Sequence, residues 1–159
     1  MSNQLSDMVA GDVMVTRLVK LKPKTDVFKA IEILVKNKIS GAPVVDENNK
    51  LLGVFSEKCC MQVLIDAAYE GLPTNEVSAF MVKEPDTVEA NTQLLSIASY
   101  FLITPSRRLP VVRKGILVGQ ISRRDVIRAV AKKQVRSTSH SRTLLYLSAL
   151  REMEEVPAV

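Results

Sequence analysis

The chain has 159 residues, 47% of them hydrophobic and 25% charged, and its 22 Lys and Arg against 17 Asp and Glu give a formal net charge of +5. These proportions are typical of folded domains and exclude a disordered, collagen-like or coiled-coil chain. The length suits one domain or two small ones. No apolar run approaches the roughly 18 residues that span a bilayer, and residues 1–10 lack a signal-peptide pattern, so we expect a cytoplasmic protein without membrane insertion.

Catalytic and metal-binding patterns are scarce. Cys59 and Cys60 are adjacent, which excludes an ordinary disulfide between them and a CxxC metal clip. The single histidine, His140, lies in a polar run. No GxSxG, HExxH, GxxxxGK[ST] or GxGxxG spacing occurs. We therefore expect reduced thiols, no catalytic cofactor, no metal and no enzymatic activity.

Two copies of one pattern follow each other along the chain. Identical residues recur at an offset of 67 (81 − 14) and, after a one-residue deletion, at an offset of 66 (122 − 56). The matched residues are Met14-Val15 and Met81-Val82, Thr25 and Thr92, Pro43-Val44-Val45 and Pro110-Val111-Val112, Leu51 and Leu117, Gly53 and Gly119, and Ser56 and Ser122. Their common order indicates an internal duplication.

In chain order, each copy begins with a predicted lead-in strand and a helix. The lead-in strands fall at Val19–Leu21 and Thr87–Val88. The first helices follow Thr25 and Thr92 as N-caps, because apolar residues then recur with helical spacing. These apolar positions are Val27, Ala30, Ile31, Leu34 and Val35 in the first copy and Leu94, Ile97, Ala98, Phe101 and Leu102 in the second.

A hairpin and a second helix complete each copy. The hairpin strands are Ala42–Asp46 with Leu51–Phe55, and Leu109–Arg113 with Ile116–Ile121, each pair joined by a turn. Ser56 and Ser122 are the predicted N-caps of the second helices. A unit this small leaves one face of its sheet uncovered, so we expect an α/β fold in which the two β-α-β-β-α copies pack about a pseudo-twofold axis.

The repeats divide the chain into four predicted parts. A lead-in over residues 1–9 precedes the first copy at 10–72, and the second copy spans 77–134. The tail at 137–159 contains an apolar stripe that predicts a helix over Thr143–Val156. This helix either covers its own module or a neighbouring chain, or it docks a regulated enzyme or transporter.

The hairpin sequences resemble the CBS domain, which is named for cystathionine β-synthase. The resemblance is carried by Ile39-Ser40-Gly41-Ala42-Pro43-Val44-Val45-Asp46 and Leu52-Gly53-Val54-Phe55-Ser56 in the first copy, and by Arg107-Arg108-Leu109-Pro110-Val111-Val112 and Val118-Gly119-Gln120-Ile121-Ser122-Arg123-Arg124-Asp125-Val126-Ile127 in the second. It covers about residues 10–134. A tandem pair of CBS domains, a Bateman module, implies a regulatory protein that binds AMP, ADP or ATP in clefts between the copies. It also implies a homodimer, formed through the second helices Ser56–Tyr69 and Ser122–Lys133.

The spacing Gly119-x-x-Ser122-x-x-Asp125 is the most informative signal. At a helix start Ser122 can cap the backbone, and the two carboxylate oxygens of Asp125 match a ribose 2′,3′-diol. The same spacing is also a relative of the capping box, which needs no ligand. Arg107 and Arg108 resemble the phosphate-contacting His-Arg pair of the AMP-activated kinase γ subunit, although two neighbouring arginines can equally be solvated.

The resemblance implies that the first copy supplies the adenine side of the same cleft. The predicted ligand-binding residues are Met14, Val19, Ile39, Ser40, Gly41, Arg107, Arg108, Gln120, Ser122 and Asp125. In the opposite cleft Cys59 stands where the second copy has Asp125, and Ser40 and Gly41 stand where it has the two arginines. We expect that cleft to be empty or weak.

The net positive charge is concentrated in the second copy, where residues 77–131 carry 8 basic and 4 acidic groups. A positive field there suits an anionic ligand. It also suits nucleic-acid binding by the basic last helix, but aromatic residues make up only 4% of the chain and no nucleic-acid motif occurs. A nucleic-acid-binding protein and a ligand-free interaction scaffold are the alternatives to a nucleotide sensor.

Overall fold

The computed structural model describes residues 7–71 and 74–133, arranged as six helices and six strands within these ranges. The elements are α1 (Ala10–Val13), α2 (Val27–Asn37), β1 (Gly41–Val45), β2 (Leu51–Ser56), α3 (Glu57–Tyr69), α4 (Val77–Phe80), β3 (Val82–Lys83), β4 (Val88–Glu89), α5 (Leu94–Ile103), β5 (Arg108–Arg113), β6 (Ile116–Ser122) and α6 (residues 123–133). Two predicted parts lie outside the described residues. They are residues 1–6 of the N-terminal lead-in and the tail at 137–159, which contains the helix predicted at Thr143–Val156. In the described part of the chain no helix is both long and apolar enough to cross a bilayer.

Each copy forms a three-stranded sheet around an antiparallel hairpin. The first sheet has the strand order β1-β2-β3 and the second β4-β5-β6. Gly41 lies opposite Ser56 in the first hairpin, and Arg108 lies opposite Ser122 in the second. Both ladders shift register at matching places, Val44/Val45 and Val111/Val112. The predicted mixed α/β fold with two repeats is confirmed.

The two copies exchange their lead-in segments. Strand β3, near the start of the second copy, pairs with β2 of the first. Conversely, Val15 pairs with Gln120 on β6, with backbone bonds of 2.8 and 2.9 Å in the two directions. Each sheet is therefore completed by the other copy, as a pseudo-twofold arrangement requires.

Two repeated glycines permit these crossings. A Cβ atom at Gly119 would lie 2.5 Å from Met14 Sδ, and one at Gly53 would lie 2.7 Å from Met81 Sδ. Only glycine lets another segment approach a strand this closely. The methionines and glycines matched between the copies are thus explained by one contact that occurs twice.

The predicted N-caps of the first helices are wrong by one residue. Helix α2 is capped by Asp26, whose carboxylate accepts from Phe28 N and Lys29 N. The hydroxyl of Thr25 accepts instead from Lys22 N, at 3.2 Å, within the preceding turn. Helix α5 begins after Gln93, which makes no side-chain cap. Two polar residues stand side by side before each helix, and the spacing alone does not choose between them.

The core consists of two clusters, one for each copy. Helices α2 and α5 face these clusters with three buried residues each, namely Val27, Ala30 and Leu34, and Leu94, Ile97 and Phe101. The last positions of the predicted apolar stripes, Val35 and Leu102, are 72% and 86% exposed. The predicted helical periodicity is therefore confirmed, but the buried face is narrower than the stripe.

A direct contact joins the turns of the two hairpins. Asn49, in the left-handed region with φ 63°, donates from Nδ2 to Leu117 O at 2.7 Å and accepts from Lys20 Nζ at 2.8 Å. Leu117 N donates to Asn49 O, and Leu51 N donates to Gly115 O. The copies are thus linked through their turns as well as through their lead-in segments.

Candidate functional site

Seven of the ten predicted ligand-binding residues line a single cavity of about 260 Å³ between the two copies. We call it the Asp125 cavity. The seven are Val19, Ile39, Gly41, Arg108, Gln120, Ser122 and Asp125, and Val15, Arg17 and Leu18 complete its wall. The first copy supplies the apolar side and the second copy supplies most of the polar side.

Strand register brings the polar side of this cavity together. Arg108 on β5 lies directly opposite Ser122 on β6, and directly opposed residues have their Cβ atoms about 4.5–5.5 Å apart on one face. Helix α6 follows β6 at once and brings Asp125 round beside Ser122. The Val15–Gln120 pairing then lays the lead-in segment across β6, which adds Val19 to the wall.

Ser122 and Asp125 form a complete capping box. Asp125 N donates to Ser122 Oγ at 3.2 Å, and Asp125 Oδ2 accepts from Ser122 N at 2.8 Å and from Ser122 Oγ at 2.6 Å. The other oxygen, Oδ1, lies 3.8 Å from Arg128 Nη1 in an ion pair. A carboxylate has about four lone-pair sites, so Oδ1 is the oxygen that remains for a ligand.

The two neighbouring arginines do not line the same cavity in the same way. Arg108 borders both the Asp125 cavity and a second cavity that adjoins it, whereas Arg107 borders the second cavity and not the first. Arg107 lies in a bend, one residue before the strand β5 that carries Arg108. The two arginines therefore meet in the second cavity, and the assignment of Arg107 to the Asp125 cleft stays a prediction.

Arg17 lies within Met14 to Val19, the segment expected on the adenine side of the cleft, but its positive charge was not predicted to matter there. It lines the Asp125 cavity from the first copy, while Arg108 lines it from the second. Within the described residues, no hydrogen bond or ion pair engages either guanidinium group. Aligning the copies would have drawn attention to Arg17, because the residue 67 positions later is Glu84, of opposite charge.

The second cavity, which we call the Ser56 cavity, is the pseudo-twofold counterpart of the first. Its volume is about 360 Å³, and its wall includes Ser40, Ser56, Asp86, Arg107 and Arg108. It shares Gly41, Arg108 and Gln120 with the Asp125 cavity, so the two spaces adjoin.

Helix α3 brings a thiol to the place where α6 brings a carboxylate. Cys59 is 6% exposed, and its Sγ lies 3.4 Å from Ser56 Oγ. Burial, followed by the neighbouring Cys59, raises the pKa of the Cys60 thiol. Both cysteines are free. The Ser56 cavity therefore has space and arginines but no carboxylate from the helix start.

The remaining predicted residues have other surroundings. Met14 packs on Gly119 in the second core cluster, and Ser40 lines the Ser56 cavity. In the ranges 7–71 and 74–133, no three His, Cys, Asp or Glu side chains are grouped so as to hold a metal ion.

Comparison with known proteins gives a consistent result. The family model of the CBS domain matches residues 10–66 and 77–132. CBSX1, a chloroplastic CBS domain-containing protein of Arabidopsis thaliana, is 36% identical over 135 residues, covering 69% of this chain and 57% of its own length. Protein MJ1225 of Methanocaldococcus jannaschii is 30% identical over 118 residues, covering 74% of this chain and 41% of its own length. The chain thus spans about half the length of these relatives.

A solved structure aligns over most of the chain. The crystal structure of CBSX2 in complex with AMP superimposes with a TM-score of 0.69 at 36% identity, covering 79% of this chain and 98% of that one. CBSX2 comes from Arabidopsis thaliana.

Proposed function

Because the chain belongs to the CBS-domain family and carries two CBS repeats, we propose that it is a regulatory module that binds an adenine nucleotide, AMP, ADP or ATP, in the Asp125 cavity. The observation that carries the proposal is the convergence of Asp125, Ser122 and Arg108 with apolar residues of the other copy in one cavity. The AMP complex of CBSX2, at 36% identity, supports this ligand class. The proposed role is regulatory and requires no catalytic cofactor.

Each part of a nucleotide has a matching group in the cavity. Asp125 Oδ1 is available for a ribose hydroxyl, since Oδ2 already accepts two bonds. Val19 and Ile39 offer apolar surface to the base. Arg108 and Arg17 supply positive charge for phosphate, which guanidinium groups bind through forked hydrogen bonds.

The way the cavity is built suggests how binding acts on the protein. Since its walls come from both copies, a bound nucleotide bridges them and favours the arrangement in which both walls are in contact with it. A ligand shifts such an equilibrium only by its difference in affinity for the two arrangements. The regulated partner would respond to that shift.

We further propose that the protein is a homodimer joined through the second helices. Helix α3 exposes an apolar stripe with helical spacing, formed by Met61, Leu64, Ile65 and Tyr69, and Ile127 on α6 is 68% exposed. Sedimentation of the wild type and of Ile65→Lys tests this part. We expect a dimer that the lysine dissociates, and a monomeric wild type would contradict it. The location we propose is cytoplasmic, since free thiols persist in a reducing compartment.

Thermal unfolding in the presence of AMP, ADP, ATP and adenosine tests the nucleotide site. A ligand at 100 times its dissociation constant stabilises a protein by about 2.7 kcal/mol, which is roughly 5–10 °C for a chain of this size. Asp125→Asn keeps a capping oxygen but removes the charge, and we expect it to abolish the shift. Glu32→Gln, an exposed change on α2, is the matched control and keeps the shift. Equal shifts in the Asp125→Asn variant and the wild type would contradict the assignment of the site.

A further inference from the structure

Arg123 connects the start of helix α6 to the end of helix α5. Its Nη2 donates to Phe101 O at 3.0 Å and to Thr104 O at 2.9 Å. Its backbone N donates to Arg107 O at 3.1 Å. One residue thus holds the segment from Phe101 to Arg107 at three points, directly before β5 and Arg108.

The backbone carbonyls at the end of helix α5 require a hydrogen-bond donor from outside the helix. The last carbonyls of a helix have no partner within the helix. Thr104 leaves α5 in an extended conformation, and both its N and its Oγ1 bond to the same carbonyl, Tyr100 O. The last turn of α5 contains no basic residue. The guanidinium group of Arg123 therefore supplies, from another helix, the charge that a helix C-terminus favours.

The first copy ends its helix differently. Lys38 adopts the left-handed conformation after α2, and its N donates to Leu34 O and Val35 O. The position matching Arg123 is Glu57, whose backbone N keeps the bond to Ser40 O at 2.9 Å. A carboxylate cannot donate to carbonyls, so the guanidinium contact exists only in the copy that carries Arg108.

We propose that Arg123 is a positioning residue, which holds Arg108 opposite Ser122 and Asp125 and thereby sets the affinity for the phosphate of the ligand. The proposal rests on the nucleotide site described above. Arg123 does not line the Asp125 cavity, so its effect passes through the Thr104–Arg107 segment. Its removal should weaken the binding of AMP and leave the binding of adenosine unchanged, because adenosine has no phosphate.

Three variants test this role. Arg123→Ala removes the donor, Arg123→Lys keeps the charge and one donating group, and Arg124→Ala is the control. Arg124 is the next residue and is exposed, and its side chain makes no hydrogen bond or ion pair with another described residue.

The first measurement is amide hydrogen exchange over residues 104–108 without nucleotide. We expect faster exchange in Arg123→Ala, an intermediate rate in Arg123→Lys and no change in Arg124→Ala. Exchange in Arg123→Ala equal to that of the wild type would overturn the positioning role, whether or not the protein binds nucleotides.

The second measurement is calorimetric titration with AMP and with adenosine. We expect Arg123→Ala to lose about tenfold in AMP affinity, the scale of one charged hydrogen bond, with adenosine affinity unchanged and partial recovery in Arg123→Lys. An equal loss for AMP and adenosine would show a general structural role and would also overturn the proposal. A wild type that binds neither compound would contradict the nucleotide site. The exchange data would then still decide whether Arg123 holds the Thr104–Arg107 segment in place.

Discussion

The Asp125 and Ser56 cavities share one construction and differ in chemistry. Each lies at a hairpin, beside the start of a second helix and under the lead-in segment of the other copy. In the Asp125 cavity a carboxylate stands three residues after the capping serine, whereas the matching residue after Ser56 is Cys59, a buried thiol that does not line the Ser56 cavity. The larger space, about 360 Å³ against about 260 Å³, is the one without the carboxylate. The duplication thus preserves the construction of the two cavities, while only one helix start places a carboxylate at its cavity.

The lead-in segments add a second difference. Arg17 lines the Asp125 cavity, and the matching residue of the other lead-in is Glu84. Asp86 lines the Ser56 cavity. An anionic ligand is therefore attracted to the first cavity by arginines from both copies, and in the second it meets arginines from one copy and a carboxylate from the lead-in.

Replacement of Cys59 by aspartate should have the largest effect, because it supplies the missing carboxylate. The new side chain would be placed to accept from Ser56 N, as Asp125 accepts from Ser122 N, and would lie at a helix N-terminus that favours negative charge. We expect Cys59→Asp to add a second AMP site, weaker than the first, measured as a rise in calorimetric stoichiometry.

Cys59→Ser is the matched control for this change, since it adds a polar group of similar size without charge. We expect the control to keep the stoichiometry of the wild type. If Cys59→Asp folds and still binds no additional AMP, the carboxylate is not the difference that separates the two cavities.

Removal of the Arg108 guanidinium should have the next largest effect. We expect Arg108→Ala to lower AMP affinity by about ten- to a hundredfold, since a charged hydrogen bond contributes about 1.5–3 kcal/mol, and to leave adenosine affinity unchanged. Arg113→Ala, at the other exposed end of β5, is the control and should bind AMP as the wild type does. Titration of each variant with both compounds gives the answer, and equal AMP affinity in the two variants would remove Arg108 from the phosphate site.

The contact between the hairpin turns tests whether the two halves depend on each other for stability. Asn49→Ala removes the bonds to Leu117 O and from Lys20 Nζ and places alanine at φ 63°. We expect a loss of about 1–2 kcal/mol, or roughly 3–8 °C in the unfolding temperature. Asn49→Gly loses the same bonds without the backbone strain and should lose less. Equal unfolding temperatures in all three proteins would show that this contact does not stabilise the pairing.

The Cys60 thiol should make the stability of the protein sensitive to alkali, which is the smallest effect expected. Burial and the neighbouring Cys59 raise the pKa of Cys60 above its ordinary value of 9.0. The folded state then keeps a proton that the unfolded state releases, so this stability is present below pH 9 and is lost as the pH rises through the raised pKa. Urea unfolding between about pH 8 and pH 10 should show a shallower decline for Cys60→Ala than for the wild type. Identical declines would contradict the shift.

Much of the fold follows from the sequence because the chain contains the pattern twice. The matched Met and Gly residues, the hairpins and the two serine caps each have a counterpart 66 or 67 positions away. The helix starts were misplaced because local sequence offers two polar candidates, and the choice of Asp26 over Thr25 depends on the turn that precedes it. The exposure of Val35 and Leu102 could not be predicted, since it depends on the width of the surface against which each helix packs.

The part of the candidate site formed at the start of helix α6 was predictable from the sequence. The parts formed where distant segments of the chain meet were less predictable. Ser122 and Asp125 are three residues apart, so their approach is local. Arg107, in a bend just before β5, does not line the Asp125 cavity that its neighbour Arg108 borders. Arg17 reaches the cavity only because Val15 pairs with Gln120, more than a hundred residues further along the chain. A pairing between the copies is not encoded in either segment alone.

The central claim is that one of the two cavities is equipped for an adenine nucleotide, and the stoichiometry of AMP binding tests it most directly. Calorimetric titration of the wild type, with Asp125→Asn measured beside it, counts the sites. We predict one high-affinity AMP per chain in the wild type and none in Asp125→Asn. Two equivalent sites per chain, or one site that persists in Asp125→Asn, would contradict the account.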